Sequence, residues 1–261
     1  MPDERMAEAL NDPGGFGGSL ADLSVRLRGY AQTQSKLSPE ARVRLERPLE
    51  APPAVARLDA LLGLSPAFVG GAHPTAPYAP SLVAFHGQIS ACMRCSLGGT
   101  RKKLIFGEGD PKASLVFVGA APGGEEEAAG RPMVGPAGDL LDRMIAAMGV
   151  QRSDVYVCNV LKCRTQGARE PQPDEVAACR PYLEHQLSLL KPEVIIALGA
   201  GAVRLLLDRG DALAGLRGRW GSFQGVKVMP TYHPQDLLRD AGLKRHVWDD
   251  LKQVLKALLR D

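Results

Sequence analysis

Hydrophobic and polar positions follow two different periods from about residue 80 to the end of the sequence. Short runs rich in branched aliphatic residues predict strands at residues 114–118, 155–160, 194–198 and 226–231. Apolar positions at helical spacing predict helices at about residues 82–92, 137–148, 173–190, 200–208 and 244–259. Because strands and helices alternate along the chain, the pattern predicts an α/β fold in which helices cover both faces of a parallel sheet.

Residues 1–80 differ in composition from the rest of the sequence. Glycine- and proline-rich stretches, such as P-G-G-F-G-G at 13–18 and V-G-G-A-H-P-T-A-P-Y-A-P at 69–80, flank a segment with loosely helical spacing. Such stretches favour irregular backbone over packed helices and strands. We therefore expect a weakly structured N-terminal extension and linker over residues 1–80, followed by a folded domain over residues 81–261.

Charge and hydropathy narrow the function classes only slightly. A formal net charge of +3 and a pI near 8.6 are mildly basic, so a polyanion would have to bind at a local patch. No apolar run approaches the roughly 20 residues of a membrane span, and the first residues lack the basic start and apolar centre of a secretory signal. We expect a cytoplasmic protein without a membrane partner.

The predicted strands end in residues that carry functional groups or unusual backbone freedom. These ends carry G-A-A-P-G at 119–123, Asn159, G-A-G-A at 199–202 and His233. Taken singly, each feature is as well explained by a turn, a core residue or close helix packing. Because ligands of open α/β sheets bind beyond the carboxyl ends of the strands, we expect the four features to converge on one site.

The loop after the first predicted strand combines glycines with acids. A phosphate-binding loop needs backbone N–H groups supported by Lys and by Ser or Thr. Here the glycines are followed by Glu125, Glu126 and Glu127, which would repel a phosphate, although the same acids also suit a solvated first helical turn. The loop therefore argues against a nucleoside triphosphate and leaves a neutral, flat ligand open.

The five cysteines suggest a metal site more than a disulfide framework. Cys92 and Cys95 form a C-x-x-C pair, while Cys163 and Cys179 lie in later segments. Four thiolates from separate segments suit tetrahedral zinc or an iron–sulfur cluster, and the wide spacing favours a cluster without deciding the metal. Cys158 lies within a predicted strand, where we expect a buried thiol.

Seven stretches of the sequence occur in a characteristic order. They are C-M-R-C, F-G-E-G-D-P, G-A-A-P-G-G-E-E-E-A-A-G-R-P-M-V-G-P-A-G-D-L-L-D-R-M, C-N-V-L-K-C-R, A-A-C-R-P-Y-L, L-R-G-R-W and M-P-T-Y-H-P-Q-D-L-L-R. From about residue 91 to about residue 258, the chain thus resembles the family 4 uracil-DNA glycosylases, iron–sulfur members of the uracil-DNA glycosylase superfamily. Residues 1–80 are not covered by the resemblance.

The resemblance implies a three-layer α/β/α sandwich around a four-stranded parallel sheet. It also implies a [4Fe–4S] cluster on Cys92, Cys95, Cys163 and Cys179. The implied function is DNA repair, in which the enzyme flips uracil or a related deaminated base out of single- or double-stranded DNA and hydrolyses its N-glycosidic bond. A monomer acting in the cytoplasm, at the nucleoid, is the corresponding expectation.

The resemblance also implies roles for residues around the base. Asn159 would pair with the uracil edge, while backbone groups of Ala120 and Ala121 would line the pocket. His233 would stabilise charge on a uracil oxygen as the glycosidic bond breaks. Glu126 matches an acid that the family places near the C5 position of uracil, where it would help to exclude thymine.

Roles in DNA binding follow from the same resemblance. Leu237 would enter the base stack that the flipped nucleotide leaves, and Arg239 would contact a nearby phosphate. Five cations surround this segment in the sequence and predict a phosphate-binding patch with strong salt dependence. They are Arg217, Arg219, Arg239, Lys244 and Arg245.

Two positions depart from the family pattern inside the pocket. Ala120 stands where the family has a glutamate that would orient or activate water, and Met133 stands where it has a stacking phenylalanine. Glu125 and Glu126 are the nearest acids that could replace the missing carboxylate. Three functions stay open: a uracil-excising enzyme with a modified pocket, a non-catalytic DNA- or damaged-base-binding relative, and a glycosylase with another base specificity.

Overall fold

The computed structural model describes residues 78–259, so the extension and linker expected over residues 1–80 lie almost wholly outside the described residues. Within the described part the chain forms nine α-helices and six β-strands. The helices are α1 (Leu82–Ile89), α2 (Leu97–Thr100), α3 (Gly124–Ala129), α4 (Gly135–Ala147), α5 (Pro173–Leu190), α6 (Gly199–Leu207), α7 (Leu213–Leu216), α8 (Pro234–Arg239) and α9 (Leu243–Leu258). The strands are β1 (Glu108–Gly109), β2 (Leu115–Gly119), β3 (Tyr156–Asn159), β4 (Val194–Leu198), β5 (Gly221–Phe223) and β6 (Val226–Thr231).

The strands form one sheet in the order β1-β3-β2-β4-β6-β5. Strands β3, β2, β4 and β6 are mutually parallel, which confirms the predicted four-stranded parallel core. Strands β1 and β5 pair antiparallel at the two edges and were not predicted. They contain two and three residues, too few for a hydrophobic period to be visible.

Alternate strand residues point to opposite faces of the sheet and are buried on both. In β2, Val116 and Val118 pack with residues of α1, α5 and α6, whereas Leu115 and Phe117 pack with residues of α4 and α9. Burying a side chain of this size stabilises the fold by about 1.5–3 kcal/mol. Two apolar cores around one sheet confirm the three-layer α/β/α sandwich.

Local signals account for most element boundaries. Helix α5 begins after Gln172, whose backbone N–H donates to the Glu175 carboxylate at 2.9 Å, and Pro173 occupies its first turn. Helix α1 ends at Ile89, three residues before the predicted end, because the chain turns there into the C-x-x-C segment. None of the described helices has the length and apolarity needed to cross a lipid bilayer.

The carboxyl ends of the parallel strands meet at one edge of the sheet. Gly119 at the end of β2 is paired with Asn159 at the end of β3, and Leu198 at the end of β4 is paired with Thr231 at the end of β6. The loops that follow these strands therefore lie side by side, as the sequence predicted.

Candidate active site

Asn159 is the buried polar residue at this edge that lacks partners. Its side chain is 1% exposed, and among the described residues its amide oxygen and nitrogen are the buried side-chain atoms left without a hydrogen bond. Leaving such groups unpaired costs about 1–3 kcal/mol each, and native proteins rarely accept this cost without a reason. An amide that offers one donor and one acceptor group suits a ligand with the complementary pattern.

Met133 covers the Asn159 amide from the pocket side. A β-carbon placed on Gly119 would overlap Asn159 Oδ1 and lie 2.7 Å from Met133 Cε, so the two side chains meet over this glycine. Met133 is 5% exposed and has a φ of 49°, which is uncommon for a residue with a side chain. An unbranched side chain in this place can change rotamer to admit a ligand.

Glu126 holds the loop that carries Met133. One carboxylate oxygen accepts the Gly123 N–H, and the other accepts the Met133 N–H at 2.5 Å. Both oxygens are therefore engaged by backbone donors. The residue lines the pocket, as predicted, and its carboxylate fixes the loop.

Glu125 presents the other acid to the same pocket. Its side chain is exposed, and its carboxylate lies against Gly135 at the start of α4, where a helix N-terminus favours negative charge. Among the described residues, none forms a hydrogen bond or an ion pair with Glu125. Its carboxylate is thus available to a ligand or a water molecule.

His233 caps the N-terminus of α8 with its imidazole ring. Nδ1 accepts the Gln235 N–H at 3.0 Å, so a neutral ring carries its proton on Nε2. Burial lowers the pKa of His233 from its ordinary value, whereas the nearby acids Asp236 and Glu126 act in the opposite direction. The ring is therefore neutral at pH 7 and offers an N–H donor from Nε2.

The G-A-G-A segment allows this ring to approach the sheet. Gly199 has a φ of 81°, and a β-carbon there would lie 2.9 Å from His233 Cβ. Close backbone approach is therefore the role of the first glycine of G-A-G-A.

Two neighbouring clefts open at this edge. One, of about 350 Å³, is lined by Ala121, Glu125, Glu126, Met133 and His233 among others, so the structure brings most of the predicted base-binding residues together. A second, of about 300 Å³, is lined by Ala120 together with Arg169 and Arg204. Ala121 borders both clefts.

Ala120 faces the second cleft and not the one that contains His233. Its carbonyl accepts the Leu161 N–H at 2.9 Å, so this backbone acceptor is already paired. The predicted contact between Ala120 and the base therefore has less support than the contact predicted for Ala121. Gly201 of α6 lies opposite, since a β-carbon there would be 3.0 Å from Ala120 Cβ.

The structure contradicts the role predicted for Leu237. This side chain is 3% exposed and packs in the core between α4 and α9, so it cannot enter a DNA stack without leaving that core. The next residue, Leu238, is 44% exposed. Consecutive helical residues point about 100° apart, which is why one leucine faces inwards and its neighbour outwards.

The predicted cationic patch is smaller than the sequence suggested. Arg217 binds the buried Asp250, with 3.0 Å between Nε and Oδ2, and also the carbonyl of His246, so it has a structural role. Arg219, Arg239 and Arg245 are exposed. Arg219 lies near the edge because the adjacent Gly218 N–H donates to the Pro230 carbonyl at 3.1 Å.

Four cysteines line one pocket. Cys92, Cys95, Cys163 and Cys179 border one small cavity of about 10 Å³, and all of them are free thiols. Cys158 is buried within β3 and does not line this cavity, which confirms the expectation of a buried thiol.

Two hydrogen-bonding groups contact the sulfur atoms around this cavity, whereas burial disfavours their ionisation. The Lys162 N–H donates to Cys179 Sγ at 3.2 Å, and the Tyr182 hydroxyl lies 3.3 Å from Cys92 Sγ. Burial raises the pKa of Cys163 to about 12 and that of Cys179 to about 11, so a metal would have to displace their protons. Within residues 78–259 no three Cys, His, Asp or Glu side chains converge on a point that suits a single metal ion.

Lys162 is a buried cation that the sequence analysis did not single out. It is 0% exposed, and burial lowers its pKa while the neighbouring cysteines act in the opposite direction. The only signal in the sequence is a lysine between Leu161 and Cys163, among residues that are otherwise buried.

Comparison with known proteins agrees with this arrangement of residues. Residues 106–252 match the family model described as the uracil DNA glycosylase superfamily. The chain is 41% identical over 172 residues to a type-4 uracil-DNA glycosylase of Thermotoga maritima, covering 64% of this chain and 88% of that protein. It is 39% identical over 177 residues to a type-4 uracil-DNA glycosylase of Archaeoglobus fulgidus, with the same coverage of 64% and 88%. A type-5 uracil-DNA glycosylase of Pyrobaculum aerophilum is 28% identical over 201 residues, covering 70% of this chain and 87% of that protein.

Proposed function

Because the chain belongs to the uracil-DNA glycosylase superfamily and to its type-4 branch, we propose that it is a DNA-repair enzyme that excises uracil or a related deaminated base. The structural observation that supports this proposal independently of the family comparison is the buried amide of Asn159, which has no hydrogen-bond partner among the described residues. Uracil has an N–H donor beside carbonyl acceptors on one edge, which matches the acceptor and the donor of this amide. The base has to be flipped out of the DNA to reach it.

Entry of the base requires Met133 to move. Its side chain meets Asn159 over Gly119, on the side from which a flipped base would come. A methionine has several rotamers of similar energy, so the movement costs little, and in its new position the side chain can still cover one face of the base. We assign to Met133 the role of an adjustable cover over the base.

His233 stabilises the leaving group in this proposal. As the bond between C1′ and N1 breaks, the electron pair moves onto uracil and negative charge develops on its carbonyl oxygens. The neutral ring donates from Nε2 to one of these oxygens, because Nδ1 is occupied by the Gln235 N–H. A donor placed where charge develops lowers the barrier more than it strengthens ground-state binding.

We assign the handling of water to Glu125. Ala120 supplies only a methyl group, and both oxygens of Glu126 are engaged by backbone donors. Glu125 lines the cleft together with His233 and has no partner among the described residues. Water adds its hydroxyl group to C1′ and gives its other proton to this carboxylate, so the products are an abasic sugar and the uracil anion, which takes a proton from solvent after release.

Cys92, Cys95, Cys163 and Cys179 would hold a [4Fe–4S] cluster in this proposal. The fit rests on the four free thiols that border one cavity and on the N–H donor directed at Cys179 Sγ. When bound, such a cluster supplies covalent links between the C-x-x-C turn, the segment after β3 and helix α5. One of these linked segments directly follows Asn159.

Leu238, Arg219 and Arg239 form the DNA-facing surface that we propose. Leu238 is the exposed apolar residue of α8, five positions after His233, and it can fill the space that a flipped base leaves. The two arginines are exposed and would neutralise phosphates without reading the sequence. We propose a monomer that acts on the DNA of the nucleoid, in the cytoplasm.

An excision assay tests the proposed function. Single- and double-stranded oligonucleotides that carry uracil, hypoxanthine, xanthine or thymine at one position are incubated with the protein, and abasic sites are measured by alkaline cleavage. We expect release of uracil and no release of thymine. The second candidate function, a non-catalytic binder of damaged bases, is favoured by the methyl group of Ala120; it predicts binding to uracil-containing DNA without any abasic site.

A further inference from the structure

The Lys162 side chain lies in the protein interior between the candidate base reader and the cysteine cavity. Its Nζ donates to the backbone carbonyl of Asn159 at 2.8 Å and to Gln186 Oε1 at 2.6 Å. Its backbone N–H donates to Cys179 Sγ at 3.2 Å. One residue therefore contacts both the strand end that presents the Asn159 amide and a candidate cluster ligand.

Gln186 fixes the far end of this buried network. Its Nε2 donates to the Phe106 carbonyl at 3.1 Å and to the Tyr156 hydroxyl at 3.0 Å. Every polar atom of the Gln186 side chain is thereby engaged. A shift of the Lys162 ammonium would therefore break its hydrogen bonds to the Asn159 carbonyl and to Gln186 Oε1 and leave these buried acceptors without that donor.

No carboxylate balances the charge of this buried cation. Among the described residues, Lys162 forms no ion pair with Asp or Glu, and its polar partners are a carbonyl and an amide oxygen. Its position therefore depends on hydrogen bonds to the Asn159 carbonyl and to the Gln186 amide oxygen.

We propose that Lys162 is a positioning residue that holds Asn159 in place for the base. The inference rests on the proposed function. The hydrogen bond from Nζ to the Asn159 carbonyl provides the positioning, and Gln186 fixes the other side of Nζ.

Two substitutions separate the hydrogen bonds from the charge. Lys162→Met keeps the apolar stem and removes both, while Lys162→Gln removes the charge and keeps an amide donor. Lys252→Met, at a half-exposed surface lysine paired with Asp249, is the matched control. The readouts are kcat and KM for uracil excision, affinity for an oligonucleotide with 2′-fluoro-2′-deoxyuridine, which resists hydrolysis, and iron content.

We expect Lys162→Met to lower kcat/KM for uracil by about 10- to 100-fold, as is usual when a residue that orients a functional group is lost. Lys162→Gln should recover several-fold of this loss, because it can still donate a hydrogen bond. Lys252→Met should match the wild type in every readout.

The outcomes also distinguish this inference from the proposed function. A wild-type protein that forms no abasic sites contradicts the proposed function, yet its affinity for the fluorinated oligonucleotide still reports on Lys162. A folded Lys162→Met variant with wild-type affinity and rate overturns the whole inference, and equal losses in Lys162→Met and Lys162→Gln overturn the positioning by hydrogen bonds.

Discussion

The Asn159 side chain lies directly over the Cα atom of Gly119 on the neighbouring strand. A β-carbon at Gly119 would overlap Asn159 Oδ1, so only glycine at the end of β2 leaves room for the amide. The two residues are paired in register at the carboxyl ends of β2 and β3. The space that a side chain at Gly119 would occupy is therefore filled by the Asn159 amide, which has no hydrogen-bond partner among the described residues. The fold thus places a binding group here although burying an unpaired amide lowers stability.

Replacing Asn159 with Ala should separate activity from stability. Loss of a group that pairs with the base in the transition state should lower uracil excision by about 10²–10³-fold. The free energy of unfolding should stay within about 1 kcal/mol of the wild-type value, because the variant no longer buries an unsatisfied amide. Excision kinetics and thermal denaturation measure the two effects. A variant that loses stability together with activity would show that the amide has a structural role.

Excision should persist to a lower pH than the ordinary pKa of histidine would allow. Burial lowers the pKa of His233, and the active ring is the neutral one. The His233-dependent part of the rate should therefore hold as pH falls past about 6.5 and decline only when the lowered pKa is reached. His233→Ala should remove nearly all excision at every pH. The residual activity of this variant should not decrease at the pH where the rate of the wild type decreases.

The lowered pKa of His233 also predicts that the protein becomes less stable as pH falls. Unfolded histidine binds a proton at about pH 6.5, whereas folded His233 binds one only at a lower pH. The unfolded state is thus favoured as pH falls from about 6.5 to the lowered pKa, and the free energy of unfolding should decrease across this window. Above it the contribution is constant. His233→Ala should lack this decrease, which denaturation curves at several pH values would reveal.

Most of the fold and part of the site could be predicted from the sequence. The alternating pattern located the four parallel strands, and strand ends located Asn159 and His233, because both signals are local. Leu237 and Leu238 could not be told apart, since which one faces the core depends on how α8 packs against α4. The hydrogen bonds of the Glu126 carboxylate and the burial of Lys162 could not be predicted either, because both depend on contacts that the sequence pattern does not show.

Glu125→Gln should lower uracil excision with little change in stability. If its carboxylate accepts the proton of water, the loss should be about 10²-fold or more, as is typical of a general base. Glu126→Gln is the matched comparison: it weakens the backbone contacts of Gly123 and Met133, so it should lower thermal stability as well. Single-turnover rates and melting temperatures separate the two variants.

Restoring the family carboxylate provides a further check on Glu125. Ala120 faces the second cleft, so a glutamate there has to extend past Ala121, which borders both clefts, to reach the cleft of His233. If it does so, Ala120→Glu should raise excision in the wild type and rescue the Glu125→Gln variant. Met133→Phe alone should change the rate little, since stacking adds only about 0.5–1.5 kcal/mol. An unchanged rate in Glu125→Gln would mean that another group handles the water.

Cysteine substitutions should divide into two classes. Cys163→Ala should lose iron and visible absorption, because Cys163 lines the shared cavity, while Cys158→Ala should keep about four irons per chain, as a [4Fe–4S] centre requires. Iron analysis and absorption spectra make the comparison. Stoichiometric zinc in the wild type, or equal iron loss in both variants, would contradict the assignment of the four ligands.

Leu238→Ala should lower excision, whereas Leu237→Ala should lower stability. Leu237 is buried between α4 and α9, so its truncation should lower the free energy of unfolding by about 2–5 kcal/mol. Leu238 is exposed, so its truncation should change stability by less than about 0.5 kcal/mol.

If Leu238 fills the gap left by the flipped base, its loss should slow excision from duplex DNA by about 10- to 100-fold, the scale of a few kcal/mol of unstacking. A single strand has no opposing stack to hold open, so excision from it should be nearly unchanged. Denaturation curves and excision rates on matched single- and double-stranded substrates measure all four values. Equal losses on both substrates would show that Leu238 acts on the base site itself, and a duplex-specific loss in Leu237→Ala at full stability would return the role to the buried leucine.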